Sequence, residues 1–180
     1  MGALIIRIVA GLSAAGALFI SAIPASAATR NATAQTLVRQ TTGIIKSRDL
    51  AFGNVIRGTA AGTVTINAQT GVRTSTGGVL LIGTGFTSAS FTGSGAGGVQ
   101  VRISIAPTTI TLTRSGGAQT MTINTLRVSA GGAAQQTMPR NFNLPATGVQ
   151  TFNIGGRLNV AANQVAGNYA GTFTVTMNYQ

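Results

Sequence analysis

The sequence predicts an all-β protein built as an antiparallel sandwich. Three observations carry that expectation. Several segments alternate apolar and polar residues with a period of two, which on a strand sends successive side chains to opposite faces. Thr63–Ala68, Val99–Ile105 and Thr109–Arg114 are the cleanest. Thr, Val and Ile are abundant, and β-branched side chains suit a pleated surface. Breaks rich in Gly and Ser separate the segments, at Gly58–Gly62, Ser94–Gly98, Ser115–Gly117 and Gly131–Gly132. Short strands at such spacing read as a sandwich.

Taken in order, residues 1–27 form a predicted signal peptide. Arg7 precedes a sixteen-residue apolar run, Ile8–Ile23, then Pro24 and the small-residue cleavage site Ala25-Ser26-Ala27. That run is shorter than the roughly twenty residues a membrane span needs, so cleavage after Ala27 and export are expected. No second apolar run follows, so no transmembrane segment is expected in the mature chain. Residues 28–42 are an N-terminal extension or a lead-in to the first strand, and 43–180 a single domain. Ile44-Ile45 leads the first strand toward Leu50 and Phe52.

Val79–Ile82 is a short, fully apolar run, which predicts a central strand buried on both faces. Met121–Val128 alternates with one slip. Thr151–Ile154 continues past Gly155-Gly156 into Arg157–Val160, and Ala161–Gln164 is a turn. The last segment has the strictest pattern: Tyr169, Gly171, Phe173, Val175, Met177 and Tyr179 alternate with mostly polar neighbours. One half-buried terminal strand is expected there.

Chemistry is sparse. The chain has twelve Lys and Arg against one acid, Asp49, with no His and no Cys, for a net charge of +11. Metal sites built from His, Cys or paired acids lack their ligands, so no metal or cofactor is expected. Paired-carboxylate hydrolysis lacks a second acid, and a Ser-His-acid triad lacks its base. Lys46, Ser47 and Asp49 lie close in sequence, but strand neighbours point to opposite faces, so no catalytic residue is assigned. Asp49 is expected in an Asx-type turn or paired with Arg48 or Arg57. Gly93–Gly98 satisfies G-x-G-x-x-G, yet a strand pattern follows where a dinucleotide site needs a helix. Asn31-Ala-Thr33 is a sequon of a common kind. The arginines spread from Arg30 to Arg157 without aromatic interleaving, so no specific nucleic-acid partner is expected. High charge of one sign still suits anionic surface polymers.

Asp49–Gly53, Thr63–Asn67, Phe152–Gly156, Leu158–Gln164 and Gly167–Tyr179 together resemble the domain-of-unknown-function 4402 family. That family consists of exported bacterial proteins similar to spore coat U and chaperone–usher fimbrial subunits. Gly167, fourteen residues from the end, and the penultimate Tyr179 resemble the C-terminal motif of pilus subunits. The resemblance implies an immunoglobulin-like, pilus-subunit-like sandwich, a non-catalytic structural role in a surface fibre or coat, and passage through the periplasm to the cell surface. It also implies a periplasmic chaperone, an outer-membrane usher and self-assembly by strand donation. A missing strand would bury about five apolar side chains at roughly 1.5–3 kcal/mol each. The sum, roughly 7–15 kcal/mol, rivals the whole stability of a domain at about 5–15 kcal/mol.

In that reading Gly167, Tyr169, Gly171, Phe173, Val175, Met177 and Tyr179 form the assembly strand. Gly167 starts it, Tyr179 fixes its end, and Phe173, Val175 and Met177 face the core. The candidate donor segment is Ala32, Ala34, Thr36 and Val38, with few large apolar residues in either register. The disulfide that many pilus subunits carry is missing here. The alternative is a self-complete secreted module that binds anionic surface polymers through its arginines.

Overall fold

In the computed structural model, the described residues are Thr36 and Gln40–Gln180. The predicted cleavage residues Ala25 and Ala27, the sequon, and the donor positions Ala32, Ala34 and Val38 lie outside them. Thr36 is exposed and belongs to no strand. The strands described all belong to one compact unit, Leu37–Gln180.

Fourteen strands run through it, and no helix occurs among the described residues. They are β1 (Gly43–Arg48), β2 (Asn54–Ile56), β3 (Gly62–Ile66), β4 (Arg73–Gly77), β5 (Leu80–Ile82), β6 (Ala89–Ser94) and β7 (Gln100–Ala106). Then follow β8 (Ile110–Arg114), β9 (Thr120–Ala130), β10 (Gln136–Thr137), β11 (Arg140–Asn143), β12 (Val149–Val160), β13 (Tyr169–Ala170) and β14 (Thr174–Tyr179). The pairings are antiparallel, and the fold is all-β and sandwich-like, as the alternation predicts.

A nine-stranded sheet runs in the order β1-β6-β12-β9-β8-β13, with β3 and β4 beyond β12 and β10 beside β9. A three-stranded sheet, β11-β7-β14, forms a second layer, and β2 and β5 form a two-stranded ribbon. The long β12 organises the larger sheet. One side pairs with β9; the other pairs first with β6, over Val149–Ile154, and then with β3, over Gly156–Val160. It runs unbroken through Gly155-Gly156, as expected.

The core lies between the layers. Phe152 and Ile154 of β12, Val101 and Ile103 of β7, and Val128 of β9 are all fully buried. Phe152 meets Phe142 of β11 at 5.6 Å between ring centroids, a tilted aromatic pair across the two sheets. The slip in Met121–Val128 is a β-bulge. Gly155 opposes Arg127 and Arg157 opposes Asn124, so β9 carries an extra residue between them. Thr125 supplies it, at φ 50°, which turns Leu126 and Val128 back toward the core.

Val79–Ile82 departs from expectation. Only Val79 is buried; Leu80–Ile82 forms the ribbon with β2, leaving Leu80 63% and Ile82 46% exposed. An apolar run fixes hydrophobicity but not the number of neighbours, and here a single short partner covers it. Arg73 fastens the ribbon. Its Nη1 donates to the carbonyls of Phe52 (2.7 Å) and Asn54 (3.2 Å), and its Nη2 to those of Gly83 (2.9 Å) and Ile82 (3.2 Å). Its guanidinium also lies 4.4 Å from the centre of the Phe86 ring, a cation–π contact.

Candidate functional site: the C-terminal strand

The terminal stretch keeps its alternation but is not one strand. Tyr169 and Ala170 pair with Arg114 and Thr113 of β8, in the large sheet. Thr174–Tyr179 pairs with Ala106–Val101 of β7, in the small one. The expected single strand therefore divides at Gly171–Phe173. The cause is its partner: β7 and β8 are consecutive, and the chain changes sheets between Ala106 and Ile110. The terminal stretch runs antiparallel beside that bend and crosses with it. Such sheet-switching strands make the corners of sandwiches.

Each of the seven predicted positions has a definable place. Gly167 does not begin a strand; it precedes β13 at φ 152°, against the Arg114 side chain. Arg114 Nε donates to the carbonyl of Ala166 at 2.9 Å and holds that approach in place. Tyr169 is half-buried; its hydroxyl donates to Val165 O (2.6 Å) and accepts from Gln164 Nε2 (2.7 Å). Gly171 is exposed, yet a Cβ there would sit 2.3 Å from the carbonyl oxygen of Thr111. Only a residue without a side chain lets the crossing lie so close to β8.

Phe173 is half-buried, with its ring edge-on to Phe91 of β6 at 6.4 Å. Val175 and Met177 are 9% and 5% exposed, between exposed Thr174, Thr176 and Asn178. Met177 lies over Gly93 of β6, whose missing side chain makes room for it beside Phe152. Tyr179 closes the strand: its hydroxyl accepts from Ala96 N (2.7 Å) and donates to the carbonyl of Gln40. So Phe173, Val175 and Met177 all turn to the core side, as the alternation implies.

Among the described residues, β14 pairs on one side only. Along its other side come the residues before β1. Thr42 Oγ1 donates to the carbonyl of Met177 at 3.4 Å, and Gln40 receives the Tyr179 hydroxyl. These contacts tie the lead-in to β14 through side chains. Gln40 and Thr42 were not legible as partners, because polar residues carry no pattern in a stretch without periodicity. β1 itself pairs with β6 and lies near β14 without joining it.

The outer strands differ in how they resist pairing with another chain, a hazard natural sheets reduce with charge, proline, bulges or short length. β1 carries Lys46, Arg48 and a bulge; β4 carries Arg73; β11 carries Arg140 just after Pro139. β2, β5, β10 and β13 have two or three residues each. β14 has six, none charged and none proline, in unbroken register with β7. None of the large apolar side chains exposed among the described residues lies on it. It offers a backbone edge rather than an unfilled apolar groove.

Asp49 pairs with neither Arg48 nor Arg57. It takes Lys46 Nζ at 2.7 Å, an exposed pair that the bulge between Lys46 and Arg48 permits. Arg48 and Arg57 instead donate to the carbonyls of Ser88 and Ala162, both at 3.1 Å. No curated protein matches the chain. A family model described as a domain of unknown function (DUF4402) matches residues 42–179, from the Thr42 contact to the Tyr179 lock. The chain belongs to the DUF4402 family.

Proposed function

We propose that this protein is an exported, non-catalytic structural subunit of a bacterial surface fibre or coat, similar in kind to spore coat U and fimbrial subunits. The observation that supports this reading is β14: a six-residue, uncharged outer strand with no proline and no bulge. An extended segment from another chain can add to such an edge, gaining affinity from main-chain hydrogen bonds and specificity from side chains at alternate positions. Because Val175 and Met177 are already buried, strand addition here relies on backbone pairing and displacement of Gln40 and Thr42. A periplasmic chaperone guarding this edge, an outer-membrane usher and a location at the cell surface belong to the same proposal.

The test is assembly of the purified mature chain, followed by electron microscopy and sedimentation. Wild type is expected to form linear oligomers, and Thr174→Lys/Thr176→Lys to remain monomeric with unchanged circular dichroism. Equal assembly by both proteins would sink the edge, and a wild type that stays monomeric even with its chaperone would sink the fibre.

A second reading draws on charge. The chain's only acidic side chain is paired with Lys46, so no acidic side chain is left to offset the arginines. In that reading the protein is a secreted module that attaches to anionic surface polymers. A steep fall in binding with added salt is expected, and salt-insensitive binding would refute it.

A further inference from the structure

The arginines are not equivalent. Arg48, Arg57, Arg73 and Arg114 all donate to main-chain carbonyls and help hold the fold. Arg127 and Arg157 make no hydrogen bond or ion pair with the described residues. Both lie on strands that meet at the bulge. Arg157 sits between buried Gly156 and Leu158, and Arg127 between buried Leu126 and Val128. Alternation therefore turns both side chains to the outer face of the nine-stranded sheet, away from the core.

The two arginines border one cavity of about 370 Å³, together with Thr65, Thr125, Gln135 and Gly156. Its shape follows from the register. Arg127 opposes Gly155, where the Ile66 carbonyl and Ala68 amide close over the backbone, and Arg157 opposes Thr65 and Asn124. Gln135 comes in just before β10. Its Oε1 accepts the Ala68 N–H at 3.0 Å, which fixes the carboxamide and leaves its Nε2 without a partner among the described residues. At the rim, Thr125 holds φ 50°, a left-handed conformation unfavourable for a β-branched residue. Bulges of this kind re-aim side chains, and retained strain of this kind clusters at ligand sites.

From these features we infer that the cavity is an oxyanion site, taking a sulfate, phosphate or carboxylate group. Arg127 and Arg157 supply forked N–H donors that match planar or tetrahedral oxyanions. Gln135 Nε2 and the Thr65 hydroxyl add neutral donors. The sheet holds two cations at one hollow with no carboxylate in reach, so an anion removes their mutual repulsion as well as gaining hydrogen bonds. No aromatic residue lines the cavity, so a nucleobase finds no stacking surface. The site deepens the second reading above, and rests on it only where the oxyanion is carried by a polymer.

The experiment compares two double variants of equal charge change in the purified mature chain. Arg127→Gln/Arg157→Gln removes the site; Arg102→Gln/Arg140→Gln removes two exposed arginines of the small sheet that do not line this cavity. Calorimetric titration with inorganic sulfate and with a sulfated oligosaccharide reads both sources of the ligand. Saturable sulfate binding is expected in wild type and in the Arg102/Arg140 variant. The Arg127/Arg157 variant should bind at least about tenfold more weakly, the size of one lost charge-assisted hydrogen bond. Arg127→Lys/Arg157→Lys keeps the charge without the fork and is expected to fall between. Equal weakening in the two glutamine variants overturns the site while leaving a diffuse arginine surface intact. Absence of saturable sulfate and oligosaccharide binding in wild type overturns both. Saturable sulfate binding without oligosaccharide binding supports the site and removes the polymer.

Discussion

The placement of β14 against β6 can be tested by a double-mutant cycle at Gly93 and Met177. A Cβ on residue 93 would lie 2.7 Å from Met177 Sδ and 2.8 Å from Phe152 Cε2, both shorter than real packing allows. The thioether can swing aside, but the fully buried Phe152 ring has little freedom. Gly93→Ala is therefore an overpacking change, expected to cost about 1–3 kcal/mol. Met177→Ala empties space at a position 5% exposed and is expected to cost about 2–5 kcal/mol. In the double variant the thioether has left space beside both the new methyl group and the Phe152 ring, so the ring can shift away from the clash. The cost of the double variant should fall short of the sum by about 1 kcal/mol or more, within the range of roughly 0.5–3 kcal/mol seen for residues in contact. Urea unfolding followed by tryptophan-free far-UV circular dichroism gives the three midpoints, with an unchanged slope confirming that stability alone has moved. Additivity to within about 0.3–0.5 kcal/mol would mean the residues do not touch, and the described seating of the terminal strand would be wrong.

The remaining predictions use the same measurement. Thr125→Gly should stabilise the protein by about 0.5–1 kcal/mol, because relief of the left-handed conformation outweighs the added freedom of the unfolded chain; Thr125→Val, which keeps the branched side chain, should bring no such gain. Gly171→Val should destabilise by about 1–3 kcal/mol, since its Cβ meets the Thr111 carbonyl at 2.3 Å; a neutral result would place the sheet crossing elsewhere. Arg73→Ala should cost about 2–4 kcal/mol by leaving the ribbon carbonyls without their charged donor. Arg73→Lys should recover only part of that loss, because an ammonium cannot span the four acceptors; full rescue would reduce the fork to a point charge.

The legible parts of the fold are those written in local periodicity. The strands β3, β7, β8 and β12, and the slip in β9 that proved to be the Thr125 bulge, all follow from which residues alternate. β6 was not legible. Ala89-Ser-Phe-Thr-Gly-Ser94 has one large side chain, because Gly93 must stay empty for Met177 and Phe152. β4 reads as Arg-Thr-Ser-Thr-Gly, whose strand state comes from pairing with β3 rather than from any apolar face. Val79–Ile82 carried the opposite error: its apolar residues promised a buried strand, and a two-stranded ribbon leaves them half outside.

At the terminal stretch the division is clearest. The sequence alone determined which side chains turn inward, because alternation depends only on the geometry of successive residues: Phe173, Val175 and Met177 on one side, Thr174, Thr176 and Asn178 on the other. It also determined the want of His and Cys and the single acid. Tertiary structure decided that these residues serve two sheets, that Gly171 marks the crossing, and that β14 is an outer strand among the described residues. It likewise brought Arg127 and Arg157, thirty residues apart, to one hollow. The reason is physical: side-chain alternation is a local code, whereas backbone donors and acceptors are alike at nearly every residue. Which strand answers which is settled only when the whole chain packs.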